Sequence, residues 1–191
     1  MAQPTSSDSH KMALADDLLE LARARTAANS TPLPLLEPPA SDLVFRPETF
    51  FLGLTEGAGV VHDLFGRQVR RCRITTRGAL LAGRATLQLE EEFVYDDGQV
   101  DVWRWVMSPS RNGRYVVAEA RAGAGISGEV RSGDYQLAFR RPVGRAAGAF
   151  APRFSTRFTL LSPDLALKRA KVSLFGAPLG RLLAFHRRVE S

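Results

Sequence analysis

The chain of 191 residues has one cysteine, Cys72, only three histidines and only three lysines. A single cysteine excludes an intramolecular disulfide and with it a disulfide-stapled scaffold. None is required, because a domain of ~150 residues buries roughly 70% of the surface that its unfolded chain exposes. No apolar run reaches the ~18 residues of a membrane-spanning helix. The first residues lack a basic start, and Asp16, Asp17 and Glu20 fall where a signal peptide needs an apolar centre. No cysteine lies near the N-terminus to carry a lipid. These absences set the expectation of a cytoplasmic protein, with a peripheral position on the inner membrane as the alternative. His10, His62 and His186 have no metal-ligand spacing. The glycine-bearing segments 53–59 and 123–133 lack the lysine and the following helix of a phosphate cradle. In a β context such glycines read as bulges or tight bends. No metal or cofactor is expected.

What the chain does have is arginine. The 26 basic residues outnumber 20 acidic ones, for a net charge of +6. A basic surface for nucleic acid or anionic membrane is one reading. Solvated arginines in the role of lysine are the other, favoured by their scatter. The densest run, Arg67, Arg70, Arg71 and Arg73, is followed by Glu90, Glu91, Glu92, Asp96 and Asp97. Weak, sequence-independent nucleic-acid binding is the most this pattern supports, with no specific nucleic-acid partner.

Residues 1–9 read as a disordered tail. Leu14, Leu18 and Leu21 share one face of a helix over 10–28, with acidic residues early and basic residues late, as the helix dipole prefers. So short a helix needs a dock: its own domain, a partner enzyme or a membrane. Residues 29–42 carry Pro32, Pro34, Pro38 and Pro39 and form a linker. From about residue 43 the period becomes two. Leu87, Leu89, Glu91, Phe93 and Tyr95 share one face of a strand over 84–95. Asp96, Asp97 and Gly98 supply a hairpin signal, and Trp103, Trp105 and Met107 share a face of the return strand. Tyr135, Leu137 and Phe139 alternate, as do Phe154, Thr156, Phe158 and Leu160, with a Gly-, Ala- and Pro-rich loop over 142–152 between them. Turns at Ser162 to Asp164 and at Phe175 to Pro178 bound the last strands. Nine or ten short strands at ~8–12-residue spacing make an all-β fold over 43–188: a small antiparallel barrel with one N-terminal helix.

Glu91 carries most information, since a carboxylate on an apolar face must find a partner or shift its pKa upward. It is either an anchor in a cavity or half of a structural pair with an arginine such as Arg70 or Arg157. Trp103 and Trp105 either stack on a flat ligand or fill a core. His62 with Asp63, or Cys72 with a histidine, would be acid–base or nucleophile pairs, but no motif ties them to a reaction. A cysteine on a strand more often behaves as a small apolar residue.

The strings Phe51-Leu-Gly-Leu-Thr-Glu-Gly-Ala-Gly59, Leu64-Phe-Gly-Arg67 and Leu89-Glu-Glu-Glu-Phe-Val-Tyr-Asp-Asp-Gly98 resemble the bacterial DUF 3833 family (domain of unknown function). Gly123-Ala-Gly-Ile-Ser-Gly128 with Tyr135, and Phe175-Gly176, fit as well. The resemblance implies a lipocalin-like barrel and a weak connection to lipid; it supplies no activity. The expected function is binding of an apolar or amphipathic small molecule, an acyl chain or other lipid. The candidate ligand-binding residues are Glu91, Phe93, Tyr95, Trp103, Trp105, Tyr135 and Arg157, with no catalytic residue. The alternative is an accessory protein that docks on an enzyme or membrane through residues 10–28. An enzyme acting on a lipid comes third.

Overall fold

The structure, a computed structural model, describes residues 43–81, 84–142 and 151–189. The expected tail, helix 10–28 and linker 29–42 lie outside the described residues, as does most of the 142–152 loop. Ten strands follow one another: β1 (Gly53–Asp63), β2 (Gln68–Leu80), β3 (Leu87–Tyr95), β4 (Val100–Pro109), β5 (Arg114–Glu119), β6 (Gly123–Arg131), β7 (Asp134–Arg140), β8 (Arg153–Ser162), β9 (Leu165–Leu174) and β10 (Ala177–Arg188). Each strand pairs antiparallel with its neighbours in sequence, and β1 pairs with β10 to close the barrel.

Turn chemistry explains the tight connections. Ser132–Gly133 and Phe175–Gly176 are two-residue loops with positive φ at both positions, the hairpin geometry whose twist matches that of the strands. The expected turn at 175–178 is therefore only two residues long. Of the glycines in the 53–59 segment, Gly53 (φ 88°) opens β1 directly after the bend at 51–52, whereas Gly57 and Gly59 form no bend. They lie within β1, and a Cβ on Gly57 would stand 2.2 Å from the carbonyl oxygen of Phe185 on β10. Glycine there lets the closing strands meet.

Alternation divides the side chains into an apolar lumen and a charged exterior. Arg73, Arg77, Glu90, Arg104, Arg157 and Arg169 stand outward in mid-strand. Val106, Val116, Leu183 and Phe185 are exposed on the same outer face. Among the described residues no helix is long and apolar enough to cross a membrane.

The two ends of the barrel differ. One is closed by Phe45 and Phe51, which flank α1 (Pro47–Phe50), a four-residue helix with proline at its first turn, where no amide is missed. Phe45 stacks on Tyr135 and Phe158, and its amide donates to the Gly133 carbonyl at 2.8 Å. The Tyr115 hydroxyl donates to Glu48 of α1 at 2.8 Å. Four residues are too few to show a helical period, and packing of the three phenylalanines holds this turn in place. Among the described residues the lumen is open at the other end, where the cavity lining reaches Tyr95, Arg181 and Leu182 beside the β1–β2, β3–β4 and β9–β10 hairpins.

Candidate ligand-binding cavity

Glu91 stands inward on β3, between Leu89 and Phe93. Its partner is Lys168 on β9, a strand remote from β3 in the sheet order. Alanines 166 and 170 flank Lys168 on the inward face and leave room for its stem. The ammonium donates to Glu91 Oε1 across the lumen at 2.5 Å, and both side chains are buried. Lys168 Nζ also lies 4.9 Å from the Phe93 ring centroid and 5.3 Å from that of Phe158.

Behind this pair, towards the closed end, lies His186. Its Nε2 is 3.9 Å from Glu91 Oε1. Burial, and secondarily the charge of Lys168, hold the imidazole well below its ordinary pKa. The ring is therefore neutral and the contact is not an ion pair. Both His186 nitrogens and the hydroxyls of Thr55 and Thr76 are buried with no hydrogen bond. Thr76 is the cross-strand neighbour of both Thr55 and Glu91, so these groups form one polar layer. Buried polar atoms without partners cost ~1–3 kcal/mol each.

Beside the ion pair is a cavity of about 140 Å³, whose lining runs from Phe51 and Met107 to Tyr95 and Arg181. Phe93, Trp103, Trp105, Phe139, Phe154 and Phe158 are among the rings that line it. Among the described residues, the charged ones lining it are Glu91, Lys168 and, at the mouth, Arg181. The Trp103 indole is fixed before any ligand arrives. Its Nε1 donates to Asp101 at 2.7 Å, and the Arg141 guanidinium covers its ring at 4.1 Å. Arg141 is buried; it donates to Asp101, Glu119 and the Val102 carbonyl. Glu119 in turn accepts from the amides of Arg121 and Ala122 in the β5–β6 turn. At the rim, Arg70 stacks on Tyr95 at 3.7 Å and donates to Asp97 at 2.7 Å. Burial, followed by the nearby Cys72 and Asp101, pushes the Tyr95 hydroxyl up to about 12, so it stays a neutral phenol.

Size limits what fits. A ~150 Å³ apolar cavity holds a benzene-sized molecule, whereas drug-sized ligands occupy ~300–1,000 Å³. This lumen takes one ring or a short run of methylenes.

Five of the expected residues, Glu91, Phe93, Tyr95, Trp103 and Trp105, line the cavity. Tyr135 is fully buried but lies in the closed end, its hydroxyl 3.9 Å from the Met107 sulfur, and does not line the cavity. Arg157 is a correction: it stands on the outer face of β8, exposed, 3.6 Å from Asp134. The expected arginine partner of Glu91 is likewise corrected to Lys168, since Arg70 is engaged at the rim and Arg157 lies outside. Lys168, His186 and Phe139 were not anticipated as site residues. The available signal was Ala166, Lys168, Ala170 and Val172 at period two, with a lysine in a chain that otherwise uses arginine. Cys72 is buried; burial first of all raises its thiol pKa, which makes it an inert core residue. Asp63 accepts from the Phe65 and Arg67 amides and from the Arg67 side chain, so it serves the turn rather than His62. Among the described residues no cluster of His, Cys, Asp and Glu is arranged for a metal ion.

A closed meander of antiparallel strands around an apolar lumen is a lipocalin-like barrel. The chain belongs to the family described as "Protein of unknown function (DUF3833)", whose sequence profile matches residues 38–188. Among solved structures the barrel is similar to the S-type phycobiliprotein lyase CPES from Guillardia theta, with TM-score 0.55 and 12% identity over 73% of this chain and 89% of that one. It is also similar to a protein of unknown function of the DUF3598 family from Nostoc punctiforme, with TM-score 0.52 and 14% identity. That match covers 83% of this chain and 53% of the other, about half its length. At such identities the likeness is one of fold. Comparison with curated proteins gives no match.

Proposed function

We propose that the barrel binds a small amphipathic molecule of the fatty-acid or lipid class, with an apolar segment in the cavity and a polar end at the mouth. The observation that supports this reading is the preformed apolar cavity itself, walled by aromatic rings and open at one end. Each methylene moved into it from water contributes about 0.8 kcal/mol. Its volume suits a short chain, or the end of a longer one whose remainder passes Tyr95 and Leu182. Arg181 stands where an anionic head group would emerge. Within the lumen, Glu91 and Lys168 satisfy each other in the cavity lining.

Mass spectrometry of small molecules that co-purify under native conditions, together with titration of medium-chain and long-chain fatty acids against Trp103 and Trp105 emission, tests the proposal. Ala170 lines the cavity. Ala170→Phe should fill it and abolish both co-purification and the emission change. Undiminished retention by Ala170→Phe would overturn the assignment to this cavity.

A further inference from the structure

Two hairpins beside the cavity mouth carry features that lower the stability of the isolated protein. Phe175 is 84% exposed and Phe65 is 74% exposed, the two most exposed large apolar side chains among the described residues. Phe175 also occupies a left-handed backbone conformation, φ 50°, at the first position of a turn that prefers asparagine followed by glycine. Phe65 is held in its projecting turn by the Asp63 carboxylate, which accepts from the Phe65 and Arg67 amides at 2.9 Å each. Between the two tips runs a groove lined by Arg153, Lys171 and Arg181. Lys171 and Arg181 are direct cross-strand partners on β9 and β10, a like-charge pairing that is unfavourable by itself. Among the described residues Asp63, already engaged by Arg67, is the one acidic residue lining the groove. Val172 and Arg181 line both groove and cavity, so the tips flank the entrance.

We propose that the open end of the barrel docks on an anionic lipid surface, with Phe65 and Phe175 in the interface and Arg153, Lys171 and Arg181 on the head groups. Apolar rings projecting beyond a collar of cations match the boundary between acyl chains and anionic head groups. The outward charges Arg73, Arg77, Arg104, Arg157 and Arg169 on the barrel wall oppose its burial in the acyl region. The docking goes beyond ligand binding and stands even if the cavity carries no ligand.

The test uses the full chain and sedimentation with vesicles of phosphatidylcholine alone or mixed with phosphatidylglycerol. The wild type should partition onto the mixed vesicles and much less onto phosphatidylcholine. Phe175→Asn should lower partition about tenfold or more with the melting temperature unchanged or raised, because asparagine suits the turn. Arg181→Gln should lower it about fivefold, on the anionic vesicles only. The cavity-filling Ala170→Phe should dock like the wild type, which separates this proposal from the ligand reading. Absence of wild-type partition would overturn the proposal, as would wild-type partition by both tip and groove variants. A lower melting temperature for Phe175→Asn would mean that the ring packs within the chain, and would overturn it too. So would tighter binding to a single-stranded oligonucleotide than to vesicles at ~200 mM salt, where purely electrostatic nucleic-acid contacts weaken by orders of magnitude.

Discussion

The two ends of this barrel are built from similar residues to opposite purposes. At the closed end Phe45, Phe50 and Tyr135 pack on neighbouring rings and do not line the cavity, which Phe51 and Phe158 border from that side. At the open end Trp103, Phe139 and Phe154 are just as close to one another, with centroids 5.3 to 5.8 Å apart, yet line a cavity. Support makes the difference. The closed-end rings are backed by α1 and pinned to the Gly133 turn. The open-end rings are held from the side, through Asp101, Arg141 and Glu119, so they keep their places without filling the centre. A polar group of Glu91, Lys168 and His186 crosses the lumen, with Glu91 and Lys168 lining the cavity. Aromatic content alone therefore does not tell a filled lumen from a hollow one.

The largest expected effect comes from breaking the closed end. Phe45→Ala should cost about 3–5 kcal/mol in urea unfolding, as for a phenylalanine lost from a tight core. Phe154→Ala should cost less, because the cavity beside it already withholds contacts. Equal losses would erase the distinction between the ends.

The polar layer across the lumen is next. Glu91→Ala leaves the Lys168 ammonium buried without its partner, a loss of ~3–5 kcal/mol. Replacing both, as Glu91→Leu with Lys168→Met, should recover most of it, since apolar residues of similar volume replace buried pairs at little cost. A double variant as unstable as the single one would mean that the layer needs its charges.

Acid should act on the same layer from the closed side. His186 has a depressed pKa in the fold, so below about pH 6.5 the unfolded chain binds a proton that the folded chain refuses. Stability should therefore fall as pH drops below about 6.5, by up to ~1.4 kcal/mol per unit, and the fall should stop below the folded pKa. The hydrogen bonds that hold Asp97 (from the Gln99 amide) and Asp164 (from the Ser162 hydroxyl) below the usual carboxylate range are lost only below about pH 4. Urea midpoints between those limits thus isolate His186, and His186→Leu should flatten them. A slope that persists in His186→Leu would assign the sensitivity elsewhere.

The smallest effect belongs to the open end. Ala170→Leu adds methylenes where space exists, so it should change stability by less than ~1 kcal/mol, below the ~1–3 kcal/mol of overpacking a filled core. A larger loss would show the cavity to be closed to added volume.

Much of this was legible at the level of faces. Alternation from Leu87 to Tyr95 placed Glu91 inward, and the Asp96, Asp97 and Gly98 turn set the register with β4. The same rule placed Arg157 outward, between Thr156 and Phe158; its charge suggested a partner for Glu91 that its parity denied. Height along the barrel axis was not legible. Tyr135 and Trp105 are both inward, yet one lies in the closed end and the other on the cavity wall, and depth depends on the stagger of ten strands. Nor was the Glu91–Lys168 pair, whose members lie 77 residues apart and meet across the lumen rather than within a hairpin. α1 stayed hidden because its stability comes from the rings that it buries.

The closing seam has a consequence for how the chain folds. Every strand pairing but one joins neighbours in sequence through a hairpin, and such local pairings form early. The exception is β1 with β10, nine residue pairs from Thr55 with Arg188 to Asp63 with Gly180, which must wait until the whole sheet has curled. Until then two unpaired edges face water and are open to pairing with other chains. Gly57 lies on this seam, where a side chain would meet the Phe185 backbone. Alanine there should prolong the open state, and the symptom would be aggregation during refolding.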